Sequence, residues 1–360
     1  MSAAKPHGAS PPRGDAGRTE GSPRIEGSPR IEGSPILVVE DLRKQFAAHR
    51  ARALVRAVDG ISFSLHRGEI LGLVGESGCG KTTAGKLIMR LIEPSSGSIK
   101  VEGFEATSLG RDEDIAYRRR VQMIFQDPYA SMNPHFKIKD VLEEPLIIHG
   151  IGASRAERME MVAQVMEKVK MSPVADFMDR YPHMLSGGQR QRIATARTLI
   201  LSPSVIVADE PVSMIDLSTR AEILHLMKTI QKDMELSIVY ITHDLSTARF
   251  FTDRIAVMYL GRIVELGTQD EVIDNPVHPY TRALIGAVCE PEAGRVGLAR
   301  DLEVKGEIPS ASDIPKGCRF HTRCLFATEE CASLPEPELA DIGGGHWHAC
   351  RRWREIPMKQ

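Results

Sequence analysis

The run Gly75-Glu76-Ser77-Gly78-Cys79-Gly80-Lys81-Thr82-Thr83 has the residue types and spacing of a phosphate-binding loop. Gly75, Gly78 and Gly80 let the backbone curl, so successive N–H groups, those of Ser77 and Cys79 among them, point at phosphate oxygens. Lys81 adds a mobile positive charge to the same oxygens, and Thr82 offers a hydroxyl to Mg²⁺. Thr83 continues into a helix whose positive end faces the same anion. By residue usage alone such a pattern arises in roughly one chain of this length in a hundred. A second site is Val205-Ile206-Val207-Ala208-Asp209-Glu210. Its four apolar residues form a buried strand that delivers Asp209 to the edge where open α/β sheets bind ligands. Asp209 suits Mg²⁺, directly or through water, and Glu210 can polarise an attacking water. Between the two, Leu185-Ser186-Gly187-Gly188-Gln189 is rarer, on the order of one such chain in two thousand. Its hydroxyl and N–H groups form an anion site before a helix expected to begin near Gln189.

These side chains need a scaffold. Ile36-Leu37-Val38-Val39 starts the ordered structure, and Ile61–Leu65 alternates as a half-buried strand does. Ile70–Val74 is a continuous apolar run, typical of a buried parallel strand leading into the phosphate loop. The helix after the loop has Leu87, Ile88 and Leu91 on its apolar face. Val121–Phe125, Val205–Ala208 and Ile238–Ile241 are further strands, and Ile255–Leu266 is a hairpin turning at Gly261-Arg262. Between residues 127 and 200 the pattern changes to helical. Ser154-Arg155-Ala156-Glu157 is a capping box, and Val162, Val165, Met166 and Val169 follow at helical spacing until Ser172-Pro173. The first 35 residues, rich in Gly, Pro and Ser with a Gly-Ser-Pro-Arg-Ile-Glu repeat, read as a disordered tail. The expected organisation is a tail over 1–35, a nucleotide-binding domain over 36–289, and a loop-rich extension over 290–360.

The loop and the pentapeptide together, in this order, resemble the ATP-binding cassette of ABC transporters. That resemblance implies an α/β P-loop NTPase (RecA-like) core with an antiparallel β subdomain and an inserted helical subdomain. It implies ATP and Mg²⁺ as ligands. Gln126 matches the family's glutamine that touches Mg²⁺ and water and links nucleotide state to the transmembrane partner. His243 matches the histidine that contacts the γ-phosphate, and Asp216 the loop that crosses the dimer interface. Met214 and Ile215 stand where most relatives carry Ala-Leu, which puts the packing of that interface in question. In the family, Ser186, Gly187, Gly188 and Gln189 clamp the nucleotide of the opposite subunit. One chain is then half a machine. Phe46 is the best match for the aromatic that stacks on adenine, with ordinary core packing as its equal alternative.

Three further stretches sharpen the resemblance to oligopeptide and dipeptide importer ATPases: Phe125–Pro134, Arg180–Met184 and Asn275–Leu284. Tyr129 leans toward the second of that family's paired ATPase subunits. The resemblance implies a second ATPase subunit, either a paralogue or an identical chain, two transmembrane permease subunits and an extracytoplasmic solute-binding protein. It places the chain on the cytoplasmic face of the cell membrane, held there by the permease. A net charge of −2 supplies no bulk basic field for nucleic acid. The alternative, a soluble non-transport ABC ATPase of repair or translation, fits poorly with one cassette lacking sustained heptads.

Four of the six cysteines, Cys318, Cys324, Cys331 and Cys350, crowd into the extension. Their irregular spacing is not that of a zinc ribbon. Four thiolates nevertheless suit a [4Fe–4S] cluster, which some members of the importer family carry at matching cysteines. Zinc is the second choice, with His321, His346 and His348 as spare ligands, and four unligated thiols are the third. With few large apolar side chains, the extension is expected to be weakly held by burial and to act structurally or in partner docking, not in catalysis.

Overall fold

The computed structural model describes residues 34–47, 54–129, 131–288 and 304–356. The expected N-terminal tail, apart from Ser34 and Pro35, and Cys289 lie outside the described residues.

Two long strands, β1 (Pro35–Ala47) and β2 (Leu54–His66), open the fold as an antiparallel pair. In β2 the expected alternation holds: Ile61, Phe63 and Leu65 are buried, and Ser62 and Ser64 are less so. The strand β3 (Ile70–Val74) is buried throughout and runs through the phosphate loop into α1 (Lys81–Ile88). That helix stops before Leu91, because Arg90 takes a left-handed conformation (φ 52) and turns the chain. Leu91 is therefore 44% exposed and does not belong to the apolar face. Next come β4 (Ser96–Val101), β5 (Phe104–Glu105), α2 (Arg111–Arg120) and β6 (Val121–Ile124). Phe125 lies past the end of β6 and is partly exposed.

The helical stretch comprises α3 (Ile138–Ile148), α4 (Arg155–Lys168), α5 (Ala175–Met178) and α6 (Gly187–Leu199). Ser154 caps α4 by accepting the Glu157 N–H at 3.2 Å, while the Glu157 carboxylate reaches back to Ala153 N rather than Ser154 N. Val162, Val165 and Met166 form its buried face, as their spacing predicts. Then follow β7 (Val205–Asp209), α7 (Leu217–Asp233), β8 (Ser237–Thr242), α8 (Leu245–Phe251), β9 (Arg254–Tyr259) and β10 (Arg262–Thr268). The hairpin between β9 and β10 turns at Leu260-Gly261, one residue earlier than expected. Both take positive φ (42 and 83), as a two-residue turn matching the strand twist requires. The chain continues through α9 (Gln269–Asp274), α10 (Pro279–Val288), α11 (Glu329–Ser333), β11 (Ala340–Asp341) and β12 (Trp347–His348).

One sheet has the order β2-β1-β4-β5 and the other β11-β12-β10-β9-β3-β8-β7-β6. From β9 to β6 the larger sheet is parallel, with β3 between β8 and β9. Parallel strands buried on both faces explain the unbroken apolar runs. One apolar cluster joins α1 to the smaller sheet, and another joins α3, α4, α6 and α7 to the opposite face of the larger one. The described part of the extension adds two strands to the larger sheet's edge. There Trp347 pairs with Leu266 and enters the main core.

Glu69, in the turn before β3, is fully buried against Arg254 at 3.0 Å and the His66 ring at 3.0 Å. Burial pushes its carboxyl up, but these partners prevail and hold it below the ordinary value. Removing one member of a buried pair leaves the other charge uncompensated. Glu69→Ala should therefore destabilise the fold by about 3–5 kcal/mol in denaturant titration. A loss under about 1 kcal/mol would show that Arg254 finds water instead.

Candidate nucleotide site

A cleft of about 540 Å³ is lined by Ala57, Glu76, Ser77, Gly78, Gly80–Thr83, Gln126, Glu210, His243 and Leu284. Gly80 ends the loop with φ 110, and a Cβ there would stand 2.1 Å from the Ala57 carbonyl oxygen. No other residue fits. It is also the N-cap of α1, with no side-chain cap and no acidic residue in the first turn. The helix's first N–H groups thus face the loop with no acidic side chain of their own turn to cap them. Lys81 is buried, and its Nζ donates to Gly75 O at 2.7 Å and Glu76 O at 2.9 Å. Cys79 sits behind the loop, buried, with its carbonyl accepting from Gly261 N at 2.8 Å.

Strand β7 ends on the two carboxylates. Asp209 Oδ1 accepts from Thr82 Oγ1 at 3.1 Å, so two oxygen donors of the kind Mg²⁺ prefers are adjacent. Burial raises the Asp209 carboxyl above its ordinary value. The Thr82 hydroxyl opposes this and Glu210 adds to it. Glu210 takes a left-handed backbone (φ 46), secured by its N–H to Ile241 O and by Ser213 Oγ to its own carbonyl. Its side chain is held from both sides. Gln126 Nε2 donates to Oε2 at 3.0 Å, and the His243 Nδ1 position lies 2.9 Å from Oε1. Gln126 follows β6, and His243 follows β8, so the two strands that flank β7 converge on its carboxylate.

The remaining residues singled out in the sequence lie elsewhere. Ser186 caps α6, its hydroxyl accepting from Gln189 N at 3.2 Å, and Gln189 Oε1 in turn accepts from Ser186 N at 3.0 Å. The helix begins at Gly187, two residues before the expected start, because this reciprocal cap closes its first turn. Gly188 abuts Thr219 of α7, whose N-cap is Asp216. The Ser218 hydroxyl and Thr219 N–H hold the Asp216 carboxyl down to about 2. Ser186–Gln189 and Asp216 therefore share one surface, and none of them lines the cleft. Phe46 is 40% exposed at the end of β1 with Lys44 Nζ over its ring, so core packing does not account for it.

The four cysteines of the extension line one small cavity, together with His278, Phe320, His321, Phe326 and Arg352. Burial pushes the Cys318 thiol up to about 12 and that of Cys350 up to about 11, and neighbouring sulfurs add to both. Among the described residues no three His, Cys, Asp or Glu side chains come together as a metal-ion site.

Sequence reading missed the outer wall of the loop. Tyr280 Oη accepts from Glu76 N at 2.9 Å, and Arg323 of the extension makes two bonds to the Glu76 carboxylate. The extension, expected to act structurally or in partner docking, thus reaches the phosphate loop.

A family model described as ABC transporter matches residues 58–213, and one described as oligopeptide/dipeptide transporter, C-terminal region, matches residues 264–331. The oligopeptide transport ATP-binding protein AppF of Bacillus subtilis is 44% identical over 322 residues, covering 88% of this chain and 96% of its own. The dipeptide transport ATP-binding protein DppF of Haemophilus influenzae is 47% identical over 296 residues, covering 82% and 89%. Among solved structures, the dimeric ATP-binding cassette MJ0796 in a post-hydrolysis state with ADP and Pi is similar. It has a TM-score of 0.58 and 28% identity, covering 65% of this chain and 98% of that one. The structure of cbiO1 from Clostridium perfringens matches with a TM-score of 0.60 and 26% identity, covering 68% and 92%. Fold and site define an ABC-type ATPase, with a P-loop core, an antiparallel sheet and a helical insertion. The chain belongs to the family of ATP-binding subunits of oligopeptide and dipeptide ABC transporters.

Proposed function

We propose that this chain powers the import of peptides, hydrolysing ATP as one of two cassettes beneath a membrane permease. The observation that carries this reading is the Glu210 carboxylate held between Gln126 and His243 beside the phosphate loop. Its relatives are named for peptide transport, which favours this reading over a non-transport ABC ATPase. ATP phosphates lie over the loop on the N–H groups of Gly75–Thr83, with Lys81 paired to their oxygens. Phe46 is the platform for adenine. Thr82, Asp209 and Gln126 hold Mg²⁺, which neutralises phosphate charge when bound. Glu210 takes hydrogen-bond donation from a water placed in line with the γ-phosphorus. As the water oxygen bonds to phosphorus, one of its protons passes to the Glu210 carboxylate, the bond to the β–γ bridging oxygen breaks and ADP leaves. His243, bonded to Glu210 through Nδ1, leaves Nε2 for the γ-phosphate.

Ser186–Gln189 and Asp216 lie outside their own cleft, which supports their acting on the partner cassette's nucleotide. ATP is then shared between two subunits and joins them. No helix among the described residues is long and apolar enough to cross a membrane. The permease holds the chain at the cytoplasmic face, and the exposed segment around Tyr129 and Phe136 receives it. The nucleotide-binding domain spans 36–289, with the helical insertion over about 127–200, and the extension spans 290–360.

Cys318, Cys324, Cys331 and Cys350 hold a [4Fe–4S] cluster in this reading. Support comes from their lining a single cavity. Four thiolates would suit such a cluster, which would tie distant loop points of the extension together. Protein purified without oxygen should be brown and contain iron and sulfide. Stoichiometric zinc would install the second choice, and metal-free protein would leave four thiols.

The transport reading is tested in cells. Deleting the gene should abolish growth on di- or oligopeptides as the source of a required amino acid. The wild-type gene should restore growth and Lys81→Ala should not. Unimpaired peptide uptake in the deletion strain, with no second importer of that specificity, would overturn it.

A further inference from the structure

A carboxylate in the wall of a triphosphate site opposes its ligand. Glu76 is such a group: it lies within the phosphate loop and lines the cleft. Its partner comes from the far end of the chain. Arg323 Nη1 donates to Glu76 Oε2 at 2.7 Å and Nη2 to Oε1 at 2.9 Å, a two-pronged pair that a lysine cannot reproduce. Arg323 is nearly buried and Glu76 partly so, so solvent screens this pair less than an exposed one.

The same residue is fixed from two other directions. Glu76 N donates to Tyr280 Oη, and Glu76 O accepts from Lys81 Nζ. Behind the pair, Tyr259, Tyr280 and Phe320 pack ring against ring with centroids 4.6 to 5.4 Å apart, and Arg323 lies over Tyr259 and Phe320. Phe320 and Arg323 belong to one tight turn, closed by Arg323 N to Phe320 O at 3.0 Å. That turn also carries Cys318 and Cys324. A second arginine of the turn, Arg319, bonds Asp59 and the carbonyl of the strained Leu260, whose neighbour Gly261 supports the loop through Cys79 O.

We propose that Arg323 is a positioning residue of the ATP site: it neutralises Glu76 and orients the phosphate loop, so that nucleotide affinity depends on the C-terminal extension. This rests on reading Gly75–Thr83 as the ATP site. Two consequences separate it from a simple staple between extension and core. If neutralisation matters, removing Arg323 exposes a repulsive charge, and removing the charge from Glu76 cures the defect. If the pair were only a staple, Glu76→Gln would break it and do as much harm as losing Arg323.

The test is titration of the full chain with a fluorescent ATP analogue and Mg²⁺, at low and high salt. Arg323→Ala should weaken binding about tenfold at low salt and less at high salt, where screening shortens the reach of an exposed carboxylate. In steady-state hydrolysis KM for ATP should rise while kcat stays within about twofold, as for a loss of uniform binding. Arg323→Lys should fall between. In the Arg323→Ala background, Glu76→Gln should recover most of the affinity that Arg323→Ala loses. The proposal is overturned if Arg323→Ala binds like wild type, or if Glu76→Gln weakens binding as much as Arg323→Ala does. Lys81→Ala is the control for the underlying reading. If wild type fails to bind, or Lys81→Ala binds equally well, the site assignment itself has failed rather than the coupling.

Discussion

Glu210→Gln should bind ATP with Mg²⁺ as wild type does and lower kcat by about a thousandfold. The amide keeps the size of the carboxylate and can still meet Gln126 and His243. It cannot draw charge from a water as the carboxylate does. The position cannot be served by a neighbour. Asp209 is buried and turned to Thr82, and His243 is itself bonded to Glu210. Glu210 also sits at an unfavourable backbone angle, a cost that a structure keeps where the side chain's direction matters. Phosphate release at saturating ATP measures kcat, and equilibrium nucleotide titration measures binding. Turnover within a few fold of wild type would remove Glu210 from the mechanism.

Ser186→Arg should abolish ATP-driven pairing of cassettes and with it nearly all hydrolysis, while leaving nucleotide binding by the isolated chain unchanged. The separation follows from geometry. Ser186 lies at the exposed start of α6, beside the α7 terminus that Asp216 caps, and outside its own cleft. Losing the cap costs only about 1 kcal/mol. The guanidinium itself, filling the anion site, is what should block a partner's phosphate. Light scattering of the Glu210→Gln protein, with and without Ser186→Arg, reads the effect with its partner ATPase present. Equal dimer in both proteins would sink the assignment of this surface.

Much of the site was legible because its residues cluster on strand ends with short local signatures. Asp209 follows four apolar residues, Lys81 follows three spaced glycines, and both signatures point to the edge where β3 and β7 deliver them. Element boundaries were less legible. The stop at Arg90, the turn at Leu260 and the start of α6 depend on single backbone conformations and reciprocal caps, not on periodicity. The pairing of Arg323 with Glu76 left no trace at all. Its members stand 247 positions apart, and an arginine among cysteines gives no local sign of what it will reach. Adding β11 and β12 to the sheet edge was hidden for the same reason, since two-residue strands carry no pattern to read.

The central claim is that ATP turnover by this chain is coupled to peptide passage through a permease. It is tested most directly in vesicles reconstituted with the permease, both ATPase subunits and the solute-binding protein. ATP hydrolysis should rise when the binding protein carries a di- or oligopeptide, labelled peptide should cross the bilayer, and Glu210→Gln should stop both together. Hydrolysis indifferent to loaded binding protein, with no peptide movement in a competent reconstitution, would contradict the account.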